Sequence, residues 1–233
     1  MKFLFFGAHP DDVEMGCAGT ILRLKAAGHW VGICDLTKGE MGSRGDAKTR
    51  KEEANEASNL MGLDFRCNLS LPDAHLSNDT ISKKKIVEVI REQKPDYVFC
   101  NAAKDRHVDH GVAHTLVKEA CFLSGLLKYE NDKSLKPHRP LNIISYVQDE
   151  YLNPNLVIDI SDIFNEKMSV VYCYKTQFFQ EGASGPITPI STPEFMEYFS
   201  GRASQMGRLI QVRFGEGFIA ENPINPEILN WFG

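Results

Sequence analysis

Residues 3–12 read Phe3-Leu4-Phe5-Phe6-Gly7-Ala8-His9-Pro10-Asp11-Asp12, an apolar run that breaks at a glycine and ends in a histidine and two adjacent carboxylates. A short, unbroken apolar run is the pattern of a strand buried on both faces, as in a parallel sheet. Side chains that directly follow such a strand fall at its carboxyl end, where open α/β folds carry their ligands. The arrangement returns at residues 97–110, where Tyr97-Val98-Phe99-Cys100 is followed by His107-Val108-Asp109-His110.

Working outward, strand-like and helix-like patterns alternate through the first two-thirds of the chain, which predicts a doubly wound, mainly parallel α/β sheet with helices on both faces. Strands are expected at 2–8, 30–36, 64–69, 96–101, 142–147 and 156–160. Helices are expected at 16–28, from a cap at Asp46 to Met61, at 81–92, at 110–127, from a cap at Ser161 or Asp162 to Lys175, and at 194–212. Residues 180–193 are turn-forming and predict a long loop, of the kind that serves as a lid, a specificity element or a subunit contact. The 233 residues are read as one domain, with a C-terminal loop and helix extension at about 177–233.

A net charge of -5, with Lys and Arg scattered, argues against a nucleic-acid partner. No stretch approaches the roughly 18 apolar residues of a membrane span, and the apolar run at 3–6 is too short for an export signal. The six cysteines lie far apart with no Cys-x-x-Cys, and read as reduced core thiols of a cytoplasmic protein. Gly7, Gly16 and Gly19 do not make Gly-x-Gly-x-x-Gly, and no Walker lysine pattern occurs.

In a doubly wound sheet the first and fourth strands commonly lie side by side where the strand order reverses, and the loops leaving them open a crevice. His9, Asp11 and Asp12 would then face His107, Asp109 and His110. Two imidazoles and one carboxylate with an open fourth position make a catalytic zinc set. Of the paired carboxylates, one can bind the ion while its neighbour moves a proton, a role that falls to Asp11. His107 would donate to the oxyanion and leaving amine, with Asp109 orienting its ring. Each motif alone admits a plainer reading, the first as an Asx turn capping a helix and the second as a solvated loop with a cap at Asp109. Their joint placement after strands one and four favours the site. His114, four residues after His110, is expected to pack or support, and His29, His75 and His138 to be surface or turn residues.

Ala8-His9-Pro10-Asp11-Asp12 with His107-Val108-Asp109-His110 resembles the zinc-dependent N-acetylglucosaminyl deacetylases of the PIG-L/LmbE superfamily. The likeness extends over nearly the whole chain, through Gly32 to Thr37, Arg50 to Ala54, Asp105-Arg106-His107, Tyr146 to Asp149 and Tyr174 to Phe178. Within the superfamily it is similar to the bacillithiol-biosynthesis branch, which deacetylates N-acetylglucosaminyl-malate. The resemblance implies a Rossmann-like fold and one Zn2+ per subunit held by His9, Asp12 and His110. It implies Asp11 as base, and His107 as acid or electrophile tuned by Asp109. It places Arg50, Arg106 and Gln177 near the sugar or aglycone, and implies a homo-oligomer, trimer or hexamer. Fe2+ or Co2+ fits the same ligands. Two departures stand out: Val13 precedes Glu14 where many relatives have Glu directly after the paired aspartates, and Val108 replaces a common proline. Other deacetylases of the superfamily, or a non-catalytic sugar-binding module, are the rival readings.

Overall fold

The computed structural model describes residues 1–129, 133–182, 184–224 and 231–232. Residues 225–230 and 233 of the expected C-terminal extension, and Ala183 of the expected 180–193 loop, lie outside them.

The apolar run at the start forms β1 (Lys2–Gly7), followed by α1 (Asp12–Ala26), β2 (Trp30–Thr37), α2 (Ala47–Met61), β3 (Phe65–Leu71) and α3 (Thr80–Gln93). Then come β4 (Tyr97–Asn101), α4 (Val108–Ser124), β5 (Asn142–Tyr146), β6 (Leu156–Asp159), α5 (Phe164–Val171), α6 (Pro193–Leu209) and β7 (Gly215–Ala220). The strands make one seven-stranded sheet of order β3-β2-β1-β4-β5-β7-β6. β1 pairs in parallel with both β2 and β4, Phe3 lying opposite Val31 on one side and Tyr97 on the other. The strand order therefore reverses between β1 and β4, and the two motif loops leave neighbouring strand ends in opposite directions.

Alternation along β1 explains why the run is apolar throughout. Phe3 and Phe5 enter a core with residues of α1, α2, α5 and α6, while Leu4 and Phe6 enter a second core with α3 and α4. A strand covered on both faces has no position left for a polar side chain until it ends.

Two helices begin earlier than the sequence pattern suggests. α1 starts at Asp12 rather than Gly16, and α4 at Val108 rather than His110. Each first turn carries polar motif residues that line the crevice, Asp12 in one and His110 in the other, and these interrupt the apolar periodicity at the helix start. The helix after β6 is shorter than expected, ending at Val171, and Ser161 does not cap it: its hydroxyl donates to Asp159 Oδ1 at 2.6 Å. Asp46 does cap α2, accepting the Thr49 N–H at 2.7 Å.

β7 is not anticipated by the sequence pattern. Its residues include Gly215, Glu216 and Gly217, two glycines flanking a charge, which is a poor strand signature. It runs antiparallel between β5 and β6, and Glu216 points inward.

Candidate active site

The first motif loop is pinned between neighbouring strand ends. Ala8 N–H donates to Asn101 Oδ1 at 3.0 Å, and the Ala8 carbonyl accepts the Thr37 N–H at 3.0 Å. Asp11 turns the chain with φ at 118°, a conformation that L residues rarely adopt and that needs support from its surroundings. The turn sends the paired carboxylates to different partners. Asp11 Oδ2 lies 3.0 Å from Arg50 Nη2, whereas Asp12 faces the second motif.

Across the crevice His107 is the N-cap of α4, its Nδ1 accepting the Asp109 N–H at 3.2 Å, and His110 lies in the first turn. The rings of His9, His107 and His110 converge, with centroids 4.5 Å apart for His9–His107, 5.5 Å for His9–His110 and 5.3 Å for His107–His110. Asp12 presents Oδ2 to His9 Nδ1 at 3.4 Å and Oδ1 to His110 Nε2 at 3.2 Å. It also accepts the His9 N–H at 2.9 Å, a bond that runs back to the loop rather than forward as in an Asx turn, and the N-cap Asp11 makes no side-chain cap bond. Gln148 Nε2 donates to its Oδ1 at 2.6 Å.

The histidines are held from behind by carboxylates. His110 Nδ1 lies 2.7 Å from Asp105 Oδ2, and His9 Nε2 lies 3.0 Å from Asp73 Oδ1 and 3.4 Å from Asp109 Oδ2. Neither contact of His9 Nε2 is directed as a hydrogen bond, and this buried nitrogen has no hydrogen-bond partner among the described residues.

The electrostatics follow from crowding these groups out of water. Burial alone would lower the His110 pKa, but the Asp12 charge and the Asp105 contact raise it to about 9. His9 is likewise raised, burial being outweighed by Asp109, Asp12 and Asp73. Asp12 is lowered: its burial penalty is overcome by His110 and His9. Asp11 moves the other way, to about 7, because burial and the neighbouring Asp12 charge outweigh Arg50. His107 is lowered by burial and by the charges of His9 and His110, with Asp12 and Asp109 opposing.

The donor set suits a divalent ion. Asp12 keeps one oxygen 3.4 Å from His9 Nδ1 and the other 3.2 Å from His110 Nε2, so its carboxylate bridges the two imidazoles. Two overlapping groups, His9 with His107 and His110, and His9 with Asp73 and Asp109, each bring three donor atoms within 4.8 Å of one another.

Residues 4–121 match the PIG-L family, described as GlcNAc-PI de-N-acetylase. The diacetylchitobiose deacetylase of Thermococcus kodakarensis is 30% identical over 76% of this chain and 70% of its own length. The chain belongs to the PIG-L family. Among solved structures, the conserved protein TT1542 of Thermus thermophilus superposes with a TM-score of 0.86 at 33% identity, over 96% of each chain. The N,N'-diacetylchitobiose deacetylase of Pyrococcus horikoshii gives a TM-score of 0.81 at 26% identity, over 94% of this chain and 83% of that one.

In this PIG-L deacetylase the site opens into a cavity of about 200 Å³ lined by His9, Asp11, Asp12, His107 and His110, together with Arg50, Arg106 and Gln177. The three residues expected near the substrate therefore share one wall system with the motifs. Arg106, half-exposed, pairs with Asp149, and Gln177 Nε2 donates to the Arg44 carbonyl at 2.8 Å. The Asp109 carboxylate accepts the Ala74 N–H at 2.8 Å and turns toward His9, so its link to His107 runs through the backbone. Ile190 lines the same cavity, and Arg44 Nη1 donates to the Pro186 carbonyl at 3.2 Å, so the 180–193 loop reaches its own site. Sequence reasoning gave no role to Asp73, Asp105 or Gln148. Asp105 and Gln148 stand inside stretches that carry the family likeness, and Asp73 follows Pro72 just beyond a strand end, the signal that could have found it.

His114 sits behind the site, its Nδ1 3.2 Å from both the Asn101 carbonyl and Ser145 Oγ, in the supporting position expected for it. All six cysteines are free. No helix of the described residues is long and apolar enough to cross a membrane.

Proposed function

We propose that the chain is a zinc-dependent N-deacetylase that hydrolyses the acetamide of a small N-acetylglucosamine conjugate, releasing acetate and the free amine. The observation that carries this reading is the contrast between adjacent carboxylates in one cavity. Asp12 lies between two histidines, which hold its carboxyl well below the usual range, while Asp11, buried beside it, turns to Arg50 and is pushed up to about 7. One is suited to hold a cation and the other to take up a proton.

His9, Asp12 and His110 would hold the ion, Fe2+ or Co2+ fitting as well as Zn2+. A bound divalent ion would acidify water and polarise the amide carbonyl. Asp11 takes the proton of the attacking water, its carboxyl pushed up to about 7 by burial and the neighbouring Asp12 charge, which makes it a stronger base than an ordinary carboxylate. The Nδ1 of His107 accepts a backbone N–H, so its neutral ring carries the proton on Nε2, available as a hydrogen bond to the oxyanion, and the leaving amine is protonated by the imidazolium form of this ring. Asp109, on the same first helical turn, favours positive charge on that ring.

The substrate we favour is N-acetylglucosaminyl-malate of bacillithiol biosynthesis. Arg106 at the cavity mouth supports it, since a guanidinium suits the carboxylates of a malyl group. The likeness to diacetylchitobiose deacetylases supports a second reading, in which a chitooligosaccharide fills the cavity. Incubating the metal-replete protein with N-acetylglucosaminyl-malate, N-acetylglucosamine and diacetylchitobiose, and measuring acetate, separates them: the favoured reading predicts the highest kcat/KM on the malyl glycoside. No acetate from any of them defeats the assignment. Residues 1–233 acting as one catalytic domain, a cytoplasmic location consistent with the free thiols, and assembly as a trimer or hexamer complete the proposal; light scattering in solution tests the last.

A further inference from the structure

We infer that Asp73 is a positioning residue that fixes the ring of His9 for metal binding. The inference rests on the proposed role of His9 as a metal ligand.

Asp73 lies just past β3, two strands away from β1 in the sheet, yet its buried carboxylate reaches His9. The two oxygens have separate tasks. Oδ2 accepts the Met41 N–H at 2.8 Å, while Oδ1 lies 3.0 Å from His9 Nε2. Asp109 Oδ2, the other carboxylate oxygen near this nitrogen, stands farther off at 3.4 Å and is already engaged by the Ala74 N–H. Nε2 is therefore a buried nitrogen whose nearest carboxylate oxygen is Asp73 Oδ1. With Nδ1 turned toward Asp12, the Asp73 carboxylate stands behind the ring's second nitrogen, the side from which a carboxylate orients a ligating imidazole and makes it more basic.

The same residue secures the cavity wall. Asp73 N–H donates to Glu40 Oε1 at 3.1 Å, Glu40 Oε2 accepts the Lys38 N–H at 3.1 Å, and Gly39, Met41 and Gly42 line the cavity.

The test measures Zn2+ affinity by chelator competition, with kcat, KM and circular dichroism, for the wild type, Asp73→Ala, Asp73→Asn and Glu40→Ala. Asp73→Ala should bind Zn2+ roughly 10- to 100-fold more weakly, the usual loss when such a partner is removed. Asp73→Asn, which keeps the shape of the side chain but removes its charge, should fall between it and the wild type. Glu40→Ala should change KM while leaving Zn2+ affinity intact. Wild-type affinity in a folded Asp73→Ala overturns the inference. If that variant does not fold, wild-type affinity in Asp73→Asn does so. An equal loss of affinity in Glu40→Ala also overturns it, by assigning the effect to the loop. A wild-type chain that takes up no Zn2+ defeats the metal-site reading itself, and this inference with it.

Discussion

Asp11 and Asp12 are chemically identical neighbours placed in opposite electrostatic states, and the cause is partner geometry. Asp12 touches two imidazoles and a glutamine amide, whereas Asp11 is turned by its φ of 118° toward a single guanidinium. Replacing Asp11 with Asn should leave metal content unchanged and lower kcat by roughly 10²- to 10⁴-fold, the range for loss of a general base; elemental analysis and steady-state rates check both halves. The sign of the Arg50 effect is also fixed. Its positive charge favours ionised Asp11, so Arg50→Met should raise the Asp11 pKa further above about 7 and move the acidic limb of kcat/KM to higher pH. A pH–rate profile that does not move would refute Asp11 as the titrating base. These ligand-type residues were legible because each follows a strand within one short motif. Asp73 was not, because it is isolated in sequence and is drawn to His9 only by the sheet.

At the scale of the element, α1 explains why a motif helix can also be a core helix. Its first turn carries Asp12 and Glu14, and its next turn brings Gly16 against β5, where a Cβ would lie 2.5 Å from the Tyr146 ring. The Tyr146 hydroxyl donates to the Phe6 carbonyl at 3.0 Å, so that ring cannot swing aside without breaking a buried hydrogen bond. Gly16→Ala should therefore destabilise the protein by about 1–3 kcal/mol, the range for overpacking a filled interior, as measured by urea denaturation. The strands β1 to β5 and their helices were readable from hydrophobic alternation and caps such as Asp46. Helix starts were misplaced where crevice-facing polar turns hide the period, and β7 escaped notice because its inward side chain is a glutamate.

Across the whole molecule, that glutamate joins the C-terminal part of the chain to the motif helix. Glu216 accepts from Gly19 N–H, Thr20 N–H, the Thr20 hydroxyl and Lys167 Nζ, at 2.9, 2.7, 2.6 and 2.6 Å. Both members of the Glu216–Lys167 pair are buried. Glu216→Ala leaves the Lys167 ammonium without its counter-charge and should cost about 3–5 kcal/mol, as breaking a buried pair does; a loss within error of zero in denaturant titration would refute this account. The amino-acid sequence by itself determined the α/β class, the side-by-side placement of strands one and four, and the identity of the motif residues, because buried strands and ligand chemistry are both local patterns. Only the tertiary structure decided which carboxylate meets which imidazole, that Asp73 and Asp105 stand behind the histidines, and that Glu216 is an interior residue. Those outcomes depend on distances between segments remote in the chain, which no local periodicity encodes.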